Sequence, residues 1–215
     1  MHLVTGGSGY FGEILADLII SKGEPVKIFD LNKPSIKIKN RVEFVRGDIR
    51  EKSDLIKALK DVTHIHHNVA QVPLAKNKKL FFSVNYIGMQ NLLECALNKN
   101  IKKIVYTSSS AVFGVPPFNP VNEEMVPKPF ESYGKVKYEA ELLCNKFVEQ
   151  GLDISIVRPR TILGHGRLGI FSILFDWIKE GYNIPVLDDG RNIYQFIHAR
   201  DLAEICWLAS KQRGP

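Results

Sequence analysis

Residues 2–12, His-Leu-Val-Thr-Gly-Gly-Ser-Gly-Tyr-Phe-Gly, constrain this chain more than any other stretch. A short apolar run, Leu3-Val4, enters a turn with glycines at 6, 7, 9 and 12. The following residues place apolar side chains at 11, 14, 15, 18 and 19, on one face of a helix. Strand, glycine turn and helix in that order present free backbone N–H groups and a positive helix end to a pyrophosphate. Gly6 would make the tight turn, Gly9 would let the backbone approach the phosphates, and Gly12 would let the helix lie close on the sheet. Lys22-Gly-Glu-Pro25 stops the helix, and residues 26–29 read as a second strand ending on Asp30. A carboxylate at that tip is where the ribose hydroxyls of an adenine nucleotide are held, although Asp30 taken alone also reads as a turn residue.

From Val26 onward, short apolar runs alternate with helical patterns, the signature of a parallel sheet with helices on both faces. Strands are expected at 42–45, 62–69, 101–106 and 152–157. Helices are expected at 54–59, 81–97, 132–149, 171–180 and 201–210, with short extended pieces at 184–187 and 195–197. The expected fold class is α/β, a Rossmann-type doubly wound parallel sheet with a small C-terminal substrate-binding lobe, either reduced or truncated. The expected division is a nucleotide-binding domain over 1–160 and a partial substrate-binding lobe over 161–215, interleaved with the last sheet elements. At 215 residues the chain is long enough for one such core.

The formal charge of +6 comes from lysines scattered through 36–39, 76–79 and 102–103. No basic helix with interleaved aromatics follows from that distribution, so nucleic acid is not an expected partner. The excess would at most draw in small anions. No run approaches the roughly 18 apolar residues of a membrane span. The chain begins directly in its first strand, with no room for a signal peptide, so a cytoplasmic protein without a membrane partner is expected. Cys95, Cys144 and Cys206 stand singly in apolar helical patterns, which argues against a disulfide frame or a zinc site. His64, His66 and His67 invite a metal reading, but 64 and 66 share a strand face while 67 points away. No carboxylate or cysteine lies nearby in sequence, so no metal is expected.

Two segments carry chemistry. The strand at 101–106 empties into Thr107-Ser108-Ser109-Ser110, which places hydroxyls at the carboxyl edge where such sheets bind ligands. In the helix beginning at Ser132, Tyr133 and Lys137 are four apart and share a face. A phenol titrating near pH 10 is too weak an acid to serve as a base at neutral pH, and an ammonium beside it favours the phenolate.

These motifs resemble, in order and over nearly the whole chain, the extended short-chain dehydrogenase/reductase family, the NAD-dependent epimerase/dehydratase group. Thr5 to Gly12 is similar to its Thr-Gly-x-x-Gly-x-x-Gly loop and Asp48-Ile49 to its adenine-binding pair. Residues 67–71 are similar to its Leu-Ala-Ala region, and residues 85–91 to its Asn-x-x-Gly-Thr-x-Asn helix. Arg158-Pro159 and Phe196-Ile-His-x-x-Asp201 are similar to its later signatures. The resemblance implies a catalytic set of Ser109, Tyr133 and Lys137. It implies NAD held by Gly6, Ser8, Gly9, Tyr10, Phe11, Gly12, Asp30, Leu31, Asn32, Asp48, Ile49, Val69, Ala70, Asn85, Thr107, Tyr133, Lys137 and Pro159. Substrate contacts are implied for Ser109, Ser110, Thr161 and Tyr194. Tyr133 would take a proton from a substrate hydroxyl whose carbon gives a hydride to the nicotinamide. Asp30 argues for NAD over NADP, against which Lys33 stands nearby. A homodimer through the helices at 81–97 and 132–149 is implied by the same resemblance.

Three departures narrow the reading. Ser110-Ala111 stand where the family's dehydratases have Asp-Glu, which argues against elimination of water. Tyr194 stands where its nucleotide-sugar epimerases have an arginine for the substrate diphosphate. Members of the family also usually continue well beyond this length. The first functional expectation is 4-epimerisation of a nucleotide-sugar through a keto intermediate. The alternatives are an NAD(P)-dependent dehydrogenase or reductase of a hydrophobic alcohol such as a 3-beta-hydroxysteroid, and a non-catalytic NAD-binding sensor or scaffold. The apolar stripe at 168–177 reads first as helix core and second as a substrate pocket.

Overall fold

The computed structural model describes residues 1–71, 78–165, 171–186, 188–191 and 193–214, Lys78 by its backbone only. Lys76 of the lysine-bearing stretch, the residues at 168–170 and Leu187 lie outside the described residues. In chain order the elements are β1 (His2–Thr5), α1 (Tyr10–Ser21), β2 (Val26–Asp30), β3 (Glu43–Arg46), α2 (Lys52–Ala58), β4 (His64–His67) and α3 (Lys78–Phe82). A π-helical turn (Ser83–Ile87) leads into α4 (Gly88–Leu97), β5 (Lys103–Thr107) and a 3-10 turn (Ser110–Phe113). Then follow α5 (Ser132–Glu149), β6 (Ile154–Val157), β7 (Thr161–Leu163), α6 (Phe171–Lys179), β8 (Phe196–His198) and α7 (Ala199–Ala209).

The first six strands form one parallel sheet in the order β3-β2-β1-β4-β5-β6. Winding reverses between β1 and β4, which opens a crevice at their carboxyl ends. Neighbouring residues on each strand feed opposite layers, as strand alternation requires. Leu3, Phe29, Ile65, Ile104 and Tyr106 pack with Leu55, Met89, Leu92, Ala140 and Cys144 of α2, α4 and α5. Val4, Ile28 and Val105 pack on the other face with Leu15 and Ile19 of α1 and with Leu202 and Cys206 of α7. The doubly wound α/β fold read from the sequence is the fold observed.

Three expectations are corrected. The single helix expected over 81–97 starts at Lys78 and is interrupted by the π turn. The Asn85 amide there donates to the Phe81 carbonyl at 2.8 Å, taking an acceptor that regular helical bonding would give to the Asn85 backbone N–H. The extended piece expected from 184 forms no strand over residues 184–186, where Pro185 removes a ladder donor. Instead β7 pairs in parallel with β8 in a small second sheet. The stripe read as helix core is not core: no described residue of α6 is buried.

The histidines sort as the strand predicts. His2 Nδ1 lies 3.1 Å from His66 Nε2 and the His2 ring stacks on His64 at 4.5 Å, on the α1/α7 side. His67 faces the other layer, 2.8 Å from Thr5 Oγ1 and stacked on Tyr106. Burial pushes the His2 pKa down to about 4 and that of His67 to about 3, and it lowers His64 and His66 as well. Below about pH 6.5 the unfolded chain binds protons that the folded one refuses, so stability falls with acidification. For His2 and His67 together the loss is expected to be on the order of 5 kcal/mol by pH 4.5, seen as a Tm drop of roughly 10 °C or more in a pH series. A flat Tm between pH 7 and 4.5 would contradict it.

Candidate active site

The glycine turn builds one wall of a cavity of about 850 Å³ at the carboxyl edge of the sheet. Gly6 has a positive φ of 68°, and a Cβ on Gly12 would overlap the Gly6 carbonyl and approach Gly7 Cα to 2.7 Å. Only glycines let α1 start this close to β1. Its N-cap is Gly9, with no side-chain cap, so the helix end is left to backbone donors beside the cavity. That is a cradle suited to a pyrophosphate.

Asp30 stands at the end of β2, where Oδ2 accepts from Ser8 N at 3.1 Å and Oδ1 from Asn32 N at 2.9 Å. The carboxylate is thereby fixed at the rim, in a wall it shares with Leu31 and Asn32. Asp48 and Ile49 line the same end. Arg50 folds back on Asp48, its Nε 2.9 Å from Oδ1, and that hydrogen bond holds the Asp48 carboxyl below its usual range. Val69, Ala70, Thr107, Pro159 and Thr161 also line the cavity, with Ser109, Tyr133 and Lys137.

Tyr133 and Lys137 reach the cavity because the start of α5 lies directly on the 3-10 turn. A Cβ on Gly134 would overlap the Ala111 carbonyl, and Ser109 Oγ accepts from Ala111 N at 3.2 Å within that turn. Lys137 is 2% exposed. Its ammonium donates to the Thr107 carbonyl at 2.8 Å and lies 4.4 Å from the Tyr106 ring centre. Burial brings its pKa down to about 7, with Glu141, one turn further along α5, opposing that shift. Arg158 grips Glu141 with Nε at 3.1 Å and Nη2 at 2.9 Å.

Four residues expected at the site sit behind its lining. Ser8 Oγ donates to the Asn32 carbonyl at 2.7 Å, fastening the glycine turn to the end of β2. Asn85 accepts from Gln71 N and donates to the Gln71 and Phe81 carbonyls, clamping the chain after β4 rather than facing the cavity. Ser110 sits in the 3-10 turn with its N–H bonded to the Pro159 carbonyl at 3.0 Å. The Tyr194 hydroxyl lies 2.8 Å from Thr161 Oγ1, so it meets the lining through Thr161.

Other lining residues were not singled out from the sequence, among them Asn68, Gln71, Arg160 and Ile162. Asn68 Oδ1 accepts from Thr107 Oγ1 at 2.7 Å, linking the strand that ends in histidines to the residue that holds Lys137. Its place just after β4, beside the winding reversal, was the available signal.

The model of the NAD-dependent epimerase/dehydratase family matches residues 2–215. The chain belongs to that family. Among relatives, it is 50% identical over 213 residues to the uncharacterised protein y4nG of Sinorhizobium fredii, covering 99% of this chain and 54% of that one. It is 28% identical to the human sterol-4-alpha-carboxylate 3-dehydrogenase, decarboxylating, covering 97% of this chain and 57% of the enzyme. Among solved structures, the Thermus thermophilus UDP-glucose 4-epimerase complex with NAD superposes with a TM-score of 0.84 at 26% identity, over 99% of this chain and 75% of that one. This member of the epimerase/dehydratase family thus spans little more than half the length of the first two relatives. No helix among its described residues is long and apolar enough to cross a membrane.

Proposed function

We propose that the protein is an NAD-dependent oxidoreductase of the extended short-chain type that epimerises a nucleotide-sugar through a transient keto intermediate. The observation that carries this reading is one cavity lined at one end by the glycine cradle and Asp30 and at the other by Ser109, Tyr133 and Lys137. Gly6, Gly9 and the start of α1 would hold the pyrophosphate, and Asp30 would accept from ribose hydroxyls while disfavouring a 2′-phosphate. NAD, when bound, supplies a reversible hydride acceptor. The Tyr133 oxygen takes the proton of the reacting hydroxyl and later returns it. The Lys137 ammonium, held by the Thr107 carbonyl, favours the phenolate. Ser109 donates a hydrogen bond to the reacting oxygen.

A dehydrogenase of a hydrophobic alcohol is the second reading. It is favoured by the aromatic group beside Thr161, in which Tyr194 lies 5.0 Å from Phe196 and 5.9 Å from Phe171, and by the sterol-dehydrogenase relative. The deciding experiment incubates protein and NAD with UDP-sugars and, separately, with steroid alcohols. Isomer formation without net NADH supports the epimerase; stoichiometric NADH from an apolar alcohol replaces it with the dehydrogenase. Residues 161–215 would serve in either case as a partial substrate-binding lobe interleaved with the domain built from 1–160, α7 packing on the sheet. A reducing, cytoplasmic setting fits three unpaired thiols. Exposed Ile87 and Leu142 on the two outer helices fit a homodimer, which a monomer by sedimentation would refute.

A further inference from the structure

The turn after β6 carries two arginines on either side of Pro159, and the structure uses them differently. Arg158 turns inward and is consumed by the buried Glu141 carboxylate. Arg160 turns to the cavity, lines it, and forms no ion pair among the described residues. Its guanidinium lies 4.8 Å from the Tyr194 ring centre, and the Tyr194 hydroxyl is tied to Thr161. An arginine stacked on a ring keeps its donors at the edge of the guanidinium plane, free for a planar or tetrahedral anion. The distribution of charge around the cavity points the same way. Its carboxylates among the described residues, Asp30 and Asp48, belong to the β2 and β3 side, where the lining Arg50 is already paired with Asp48, whereas Lys137 and Arg160 line it without a carboxylate partner among the described residues.

We propose that Arg160, laid across Tyr194 beside the catalytic end of the cavity, is the specificity-determining residue that receives an anionic oxo group of the substrate. The proposal rests on the oxidoreductase reading for the place of the substrate and names what that substrate must carry. Tyr194 serves as the platform for that guanidinium. The anionic group is either a phosphate of a nucleotide-sugar or a carboxylate close to the alcohol of an apolar hydroxy acid; both present oxygens that a guanidinium grips in pairs.

Calorimetric titration of the NAD-loaded protein separates the sources, with UDP against uridine as one arm and 3-hydroxydecanoate against its methyl ester as the other. Wild type is expected to prefer one anion over its neutral counterpart. Arg160→Gln is expected to weaken that anion roughly tenfold to a hundredfold, with the neutral counterpart and NAD unchanged. Arg160→Lys keeps the charge but not the fork and falls between. The proposal is overturned if wild type prefers neither anion, if Arg160→Gln binds the anion as wild type does, or if NAD affinity falls with it. Because the readout is binding, it stands apart from turnover: loss of anion binding with intact chemistry and loss of chemistry with intact anion binding are different results.

Discussion

Tyr133→Phe is expected to lower turnover by a factor on the order of 10²–10⁴ while NAD remains bound. The substitution removes one oxygen from a half-buried ring that lies 6.4 Å from Phe81 by ring centres, so the packing at the start of α5 is kept. What disappears is the group that accepts and returns the substrate proton. Lys137 stays in place, because its ammonium is anchored to the Thr107 carbonyl and over the Tyr106 ring rather than dependent on the phenol for position. Single-turnover kinetics with NAD affinity measured in parallel checks the result. Turnover within a few-fold of wild type would remove the phenol from the mechanism. Loss of NAD binding together with turnover would mean that the ring serves the cofactor site instead. An inactive wild type that binds NAD tightly would return the protein to a sensor or scaffold.

Arg158→Leu is expected to cost about 3 kcal/mol or more of folding stability, because it strands a buried carboxylate. The Glu141 side chain is 2% exposed against 32% for Arg158, so solvent can take over little of the arginine's role. The guanidinium also lies 5.2 Å from the Phe113 ring centre, and the same substitution loses that contact. Adding Glu141→Gln to Arg158→Leu should recover much of the loss, since the uncompensated charge rather than the pair itself is the main cost. Urea unfolding of the two variants measures both effects. A single-variant loss under about 1 kcal/mol would put the pair with ordinary surface bridges.

What the sequence made legible was whatever repeats over short distances. The glycine spacing at 6, 9 and 12 announces one backbone path, and apolar runs alternating with helical stripes announce the parallel sheet. Tyr133 and Lys137 were readable as partners because four residues of helix is a fixed geometry. The Arg158–Glu141 pair was not, although both residues stood in plain view, because only the packing of α5 against the turn after β6 brings them together. Arg160 was hidden for the same reason, its neighbour Tyr194 arriving through the β7–β8 pairing. The π turn left no mark in the apolar pattern, since Val84, Met89, Leu92 and Leu93 still face the core around it. For α6, periodicity told which face was apolar but carried no information on whether anything lies against it.

The strand order has a consequence for how the chain reaches its native state. β1, which precedes the other strands of the sheet in the chain, is also central, and the contact of Thr5 with His67 joins positions 62 residues apart. The layer over Val4 and Val105 closes only with α7, as the approach of Thr107 to Cys206 across 99 residues illustrates. Loop closure on that scale must precede the gain from burial, so assembly is slow for a domain of this size. Until Leu202, Ala203 and Cys206 dock, the apolar face of α1 and the neighbouring strands stands open to water. The nascent protein is then most prone to aggregate, and the docking of α7 ends that exposure.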